Sequence, residues 1–155
     1  MCEAISVAWS VLPTELIERH RLERRAHERG GERELQFHFK DRNARLPIRR
    51  DGQIQIVRWG NIRGQSPRLP QTSWTWQASI DEGMWRHLEP VIVDIPASLG
   101  CERGVWYAIQ QGIRGLLVPD EQGKAVVYMI CEPASHYYQV MTRNARMPVF
   151  IDQRI

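Results

Sequence analysis

The side chain with the most distinctive chemistry is the thiol of Cys2, second in a chain of 155 residues. A methionine in front of a small residue is normally removed, which would leave cysteine at the mature N-terminus. Such a residue carries an amine and a thiol on neighbouring carbons, with ordinary pKa values of about 8 and about 8.5. Both are partly nucleophilic near neutral pH. The amine can condense with an aldehyde to a Schiff base, and the thiol then closes a thiazolidine ring. A cysteine at this position is equally compatible with no chemistry at all.

A second group is Arg58-Trp59-Gly60-Asn61-Ile62, at the end of an expected strand. Between Arg42 and Arg68 seven arginines stand against one acid, Asp51. Trp59, Trp74 and Trp76 flank or follow this stretch. A basic groove with aromatic platforms is how proteins hold single-stranded nucleic acid. The same residues also suit a tryptophan core with a solvated arginine rim. Glu102 ends a loop-like segment, 96–102, where a carboxylate could serve as general acid or base. Arg146 follows an expected helix and could reach a phosphate. For each of the last two the alternative is an ordinary surface residue.

The elements that must position these groups follow from pattern and punctuation. Residues 4–12 are apolar and β-branched, which predicts a strand. Pro13 and Thr14 open an expected helix over 14–29, with Thr14 as cap and Gly30-Gly31 as its end. Glu15–Arg19 and Arg24–Glu28 fall at the i,i+4 spacing of such a helix, and the alternating signs read as a solvated face. Strands are expected over 34–39, 46–50, 53–59, 91–95, 105–109, 113–118, 125–131 and 147–151. Asp51-Gly52 predicts a hairpin between the second and third of these. Residues 60–73, rich in Gly, Pro, Ser and Gln, form the longest irregular stretch. Short helices are expected over 81–88, capped by Asp81, and over 135–143. The reading is one domain over 1–155, of α+β class, with a mainly antiparallel, barrel-like sheet core and a few flanking helices.

Composition narrows the class. The chain is 43% apolar and 25% charged, with a formal net charge of +3, which is ordinary for a globular domain. Lys40 and Lys124 are the only lysines; the remaining basic residues are arginines, which suit bidentate phosphate contacts. No apolar run is long enough to span a bilayer, and no secretory signal pattern opens the chain. Three widely spaced cysteines, Cys2, Cys101 and Cys131, then read as free thiols in a cytoplasmic protein. The His and Cys residues show no zinc spacing.

Taken in order, these segments resemble the SRAP (SOS response-associated peptidase) family. Members begin Met-Cys-Gly-Arg, carry Arg-Trp-Gly-Leu-Ile-Pro, Asn-Ala-Arg-Ala-Glu and Pro-Ala-Asp-Gly-Phe-Tyr-Glu-Trp segments, and end with His-x-Arg-Met-Pro-Val. Here Cys2 matches the first motif. Arg58, Trp59, Gly60 and Ile62 match the second, Pro96, Ala97 and Glu102 the fourth, and Arg146, Met147, Pro148 and Val149 the last. Gly115 and Leu116 fit the family's Ala-Gly-Leu-Trp strand. The third motif is degraded to Thr75-Trp76-Gln77-Ala78-Ser79. Glu3 and Ala4 replace Gly and Arg, Cys101 and Arg103 replace the Tyr and Trp around the glutamate, and Asn144 stands at the family's catalytic histidine.

The resemblance implies an abasic-site sensor that binds single-stranded DNA and traps the ring-opened aldehyde as a thiazolidine. Cys2 would then be the nucleophile, Glu102 the acid/base partner and Asn144 the third member of the site. Arg58, Trp59, Thr75, Gln77 and Arg146 would contact DNA. No metal, organic cofactor or membrane is implied. An asparagine cannot shuttle a proton near neutral pH as histidine does, so a binder without chemistry is the main alternative. A peptidase using Cys2 is the other.

Overall fold

Three two-residue turns organise the chain. Gly30-Gly31 (φ 58° and 83°), Asp51-Gly52 (51° and 76°) and Arg103-Gly104 (50° and 79°) each place both central residues at positive φ. This is the type I′ geometry, whose twist matches that of paired strands. A computed structural model describes residues 2–153. Its strands, in chain order, are β1 (Ala4–Ala8), β2 (Ala26–Arg29), β3 (Glu32–His38), β4 (Arg45–Arg50), β5 (Gln53–Trp59) and β6 (Trp74–Trp76). They continue with β7 (Val91–Ile95), β8 (Leu99–Glu102), β9 (Val105–Ala108), β10 (Ile113–Pro119), β11 (Ala125–Pro133) and β12 (Arg146–Pro148). The α-helices are short: α1 (Thr14–Arg19), α2 (Gln77–Asp81) and α3 (His136–Thr142).

The strands form two sheets. One is antiparallel throughout, in the order β2-β3-β1-β8-β9. The other runs β10-β7-β4-β5-β11, and pairing of β10 with β11 closes it into a five-stranded barrel. Only its β5–β11 contact is parallel. Strands β6 and β12 flank the C-terminal half of β11. The chain is thus α+β, built mainly on antiparallel sheet around a barrel.

Period-two alternation divides the apolar residues of β10 and β11 between two cores. Leu117, Val127 and Met129 join the main core, with Cys2, Ile5, Phe37, Trp59 and Tyr138. Leu116, Val118, Val126, Tyr128 and Ile130 join a second, with Leu69, Trp85 and Leu88. Full burial of one such aliphatic side chain contributes about 1.5–3 kcal/mol.

Several sequence expectations are corrected. The helix over 14–29 stops at Arg19, and Pro13, not Thr14, is its cap. Arg21 turns the chain at φ 53°, Leu22 is fully buried, and residues 26–29 pair with β3. The glycines expected to end the helix form a hairpin turn instead. Arg24–Glu28 therefore lose helical spacing, and Arg29 pairs across the hairpin with Glu34 at 3.1 Å. The first strand ends at Ala8. The helix expected over 81–88 lies earlier, at Gln77–Asp81; Gly83 at φ 80° interrupts the chain beyond it. The loop ending at Glu102 is strand β8 from Leu99 onward, and the last strand is only Arg146–Pro148. Helix α3 keeps its expected start, with the Ser135 hydroxyl accepting from the Tyr138 N–H at 3.1 Å.

The irregular stretch 60–73 is a loop with joined ends. It leaves β11 where the Gly60 N–H donates to Val127 O (2.8 Å) and returns where the Met129 N–H donates to Ser73 O (3.0 Å). Gly60 has φ 65°, and a Cβ there would lie 2.5 Å from Thr72 O. Fully buried Asn61 holds the interior, donating from Nδ2 to Ser66 O (2.7 Å) and Leu69 O (2.9 Å) and accepting from the Ser66 N–H (3.0 Å). No described helix is long and apolar enough to cross a membrane.

Asn61→Ala removes all three side-chain bonds and strands the Leu69 carbonyl and the Ser66 N–H, while the Ser66 carbonyl keeps only the 3.3 Å bond from the Leu69 N–H. Each buried group left unsatisfied costs about 1–3 kcal/mol, so chemical denaturation should show a loss of at least about 2 kcal/mol. A change within about 0.5 kcal/mol would mean that the loop does not depend on this residue.

Candidate functional site

Pairing of β1 with β8 sets Ala4 opposite Cys101 and Ile5 opposite Gly100. Cys2, just ahead of β1, is thereby carried into the core and has no exposed surface. Its Sγ donates to Ala4 O at 2.9 Å. Its other neighbours are the Cys101 backbone and the Tyr107 hydroxyl. Tyr107 lies opposite Gly100 in the β8–β9 hairpin, and a Cβ on Gly100 would come 2.7 Å from the Tyr107 ring. A glycine is needed there for close approach, not for its backbone freedom. The Tyr107 hydroxyl lies 3.2 Å from that of Tyr138 on α3, with the rings edge to face.

Helix α3 also delivers Asn144. It ends at Arg143, in the left-handed conformation at φ 60°, and Asn144 follows. The Asn144 Nδ2 donates to Glu102 Oε1 at 3.2 Å, and its Oδ1 accepts from the Arg146 N–H at 3.0 Å. Asn144 and Glu102 therefore meet, and Cys2 lies within electrostatic reach of Glu102, so groups from the two ends and the middle of the chain share one neighbourhood. Glu102 is only 4% exposed. Beside it Glu3 accepts weakly from the Cys101 thiol (3.7 Å) and from the Gly104 N–H (3.3 Å).

The outer wall comes from the strands that flank β11. Cys131 pairs with Trp76 on one edge and Pro148 on the other. The Arg146 guanidinium stacks over Trp74 at 3.7 Å and reaches Trp76 at 6.0 Å. The two indoles meet edge to face at 5.0 Å, and Trp76 is 37% exposed. Arg146 with these tryptophans forms a cationic, aromatic lip near a buried polar interior.

Burial governs the electrostatics. It pushes the Cys2 thiol from an ordinary 9.0 to about 12, against the opposing contacts to Cys101 and Tyr107. Cys131 is pushed equally far for the same reason, with Arg146 opposing. Burial also raises the Glu102 carboxyl, against the Asn144 hydrogen bond, and raises the Tyr107 and Tyr138 hydroxyls well above their usual range. The interior favours neutral groups.

Other expected site residues have different surroundings. Trp59 is 2% exposed, donates from Nε1 to Ser73 O at 3.2 Å and packs edge-on to Phe39. No face of that ring is open to a base, which corrects its reading as a stacking platform. Arg58, on the opposite face of β5, lies 3.8 Å from Asp120. Thr75 points away from the two tryptophans and accepts from Trp85 Nε1 at 2.9 Å in the second core. Gln77 is half-buried at the start of α2 and donates to Asp81. Sequence pattern does not single out Tyr107 and Tyr138. A tyrosine on an expected strand or helix reads as core, and no spacing links these two. Met1 and the expectation of its removal lie outside the described residues.

Among the described residues no cluster of His, Cys, Asp and Glu is arranged to hold a metal. No known protein family, curated protein or solved structure matches the chain.

A thiol whose folded pKa is raised contributes stability that is complete below its unfolded value and is lost as pH climbs through the folded one. Cys2 and Cys131 place that loss between pH 9.0 and about 12. The urea midpoint should hold from pH 7 to 9 and fall steeply above it. At pH 8, mass spectrometry should find Cys2 and Cys131 alkylated far more slowly in native than in denatured protein. Alkylation of native Cys2 at the rate of a free thiol would contradict this burial.

Proposed function

We propose that the chain is a diverged SRAP-type domain that holds single-stranded DNA and captures the aldehyde of an abasic site at Cys2. The observation that carries this reading is the convergence of residues remote in sequence: Asn144 bonds Glu102 at 3.2 Å, and Cys2 lies within electrostatic reach of that carboxyl. These positions match the family's nucleophile, acid and histidine. The Arg146–Trp74–Trp76 lip supplies what a single strand needs beside them: a guanidinium for phosphate and an indole face for a base.

The chemistry starts once Met1 is removed. The Cys2 amine adds to the aldehyde carbon, and water leaves as the Schiff base forms. Glu102, with its raised pKa, is suited to give and take the proton that this step requires. The Cys2 sulfur then adds to the imine carbon, its proton passes to the nitrogen, and the thiazolidine closes. Asn144 holds Glu102 through a neutral amide.

The test uses protein whose mass establishes a free N-terminal Cys2. Incubation with an abasic-site oligonucleotide should give an adduct that survives denaturing electrophoresis and is absent from Cys2→Ala. If the verified protein forms no adduct, the chemical half of the reading fails. A specific observation then favours non-covalent binding: Cys2 has no exposed surface, burial pushes its thiol up to about 12, and Asn144 supplies no titrating group.

Either form of the reading needs the lip. Trp76→Ala should weaken binding of oligothymidine by about 1–3 kcal/mol, the usual value of one stacked base. Fluorescence anisotropy would measure it. Unchanged affinity in a folded variant would remove Trp76 from the interface.

A further inference from the structure

Five basic side chains converge on a recess away from the Cys2 site. His20 and Arg21 come from the end of α1 and the turn after it. Arg24 and Arg25 come from the 3-10 turn Leu22–Arg25, and Arg45 opens β4. With Asp41 they line a concave space of about 440 Å³. Asp41 is the one carboxylate of that lining, and it is engaged in an ion pair with Arg25.

Arg45 is the least satisfied member. It has no ion-pair partner among the described residues. Its Nη1 lies 3.3 Å from His20 Nδ1, and its Nη2 donates to His20 O at 3.4 Å. Both contacts are long, and both end on the same residue. Its Nε is buried without a hydrogen-bond partner. Arg45 Nη1 can only donate, so the His20 Nδ1 facing it must accept, which keeps that ring neutral. Burial and the nearby Arg25 hold the Arg45 guanidinium below its ordinary value, against the opposing charge of Asp41. Burial, Arg45 and Arg19 do the same to His20. The cations crowd one another with too little negative charge between them.

We infer that this recess binds the phosphate group of a ligand. An anion there would relieve the repulsion and offer the Arg45 Nη groups a better acceptor than the long contacts to His20. Guanidinium forks match phosphate oxygens two at a time, and Arg21 and Arg24 present theirs exposed at the rim. The ligand is either a small phosphorylated molecule or the backbone of a single nucleic-acid strand. The site stands whether or not Cys2 reacts with an aldehyde.

The test titrates the intact protein, at low ionic strength, with inorganic pyrophosphate and with oligothymidine lacking terminal phosphates. The His20 ring resonances are followed by NMR. A saturable shift with either probe supports the site. A response to pyrophosphate alone assigns a free phosphorylated ligand. A response to the oligonucleotide, with log affinity falling by about 0.7 per contact against log salt, assigns a strand backbone. Arg45→Gln should weaken binding at least about tenfold, the scale of one charged hydrogen-bond donor. Arg24→Gln alters an exposed side chain that folding does not need, and should weaken binding by about threefold or more. Cys2→Ala should leave both responses unchanged. The inference is overturned if neither probe shifts His20, or if both arginine variants bind as tightly as the parent protein.

Discussion

Strand β11 has four partners to accommodate, and most of the architecture follows from supplying them. Residues 126–131 are all buried. A buried backbone group without a hydrogen bond costs about as much as a lost bond. One edge of the strand is served first by β10 and then by β12, the other first by β5 and then by β6. Closing the barrel satisfies the first half. The second half requires the chain to leave at Trp59 and come back at Trp74, only two residues further along β11. Only a loop whose ends nearly touch can make that exchange. Gly60 allows the close approach, and Asn61 replaces the backbone pairing that the loop interior lacks.

The same exchange builds the site. Because β6 and β12 take opposite edges at Cys131, Trp74 and Trp76 come within stacking reach of Arg146. Because Asn144 lies between α3 and β12, it is delivered to Glu102 on the β8–β9 hairpin. The five-stranded sheet contributes the rest through β1, which carries Cys2 beside Cys101 and Tyr107. This site lies where the two sheets share their core. That position unites groups from distant segments and also withdraws them from water. Burial there pushes the Cys2 thiol up and favours its neutral form, and a neutral amide at position 144 is consistent with an interior that disfavours charge.

The basic recess arises from a different constraint. As a continuous helix, 14–29 would spread its charges in alternation around a solvated face. The chain instead turns at Arg21 so that Leu22 reaches the core and residues 26–29 extend the five-stranded sheet. Arg24 and Arg25 then face Arg45 across the recess, where Asp41 neutralises only one of them. Burial of one leucine and pairing of one short strand have produced a concentration of positive charge that local spacing would have dispersed.

Much of the fold is legible in the amino-acid sequence. Alternation over 53–59 and apolar runs over 91–95, 113–118 and 125–131 identify strands, Asp51-Gly52 identifies a hairpin, and Ser135 identifies the start of α3. These features depend on residues within a few positions of one another, so the sequence by itself determined them. The helix expected over 14–29 does not form as a unit, because Glu–Arg spacing does not distinguish a helix from a helix that turns into a strand. Gly-Gly likewise serves a helix end and a type I′ turn alike. The grouping of Cys2, Glu102 and Asn144 can be read only through a family resemblance, since no periodicity connects them. Which way Trp59, Thr75 and Tyr107 face, and which arginines share a recess, was decided by the tertiary structure alone. Those outcomes depend on pairings between strands up to about a hundred residues apart, where the gain from burial and hydrogen bonding outweighs local preference.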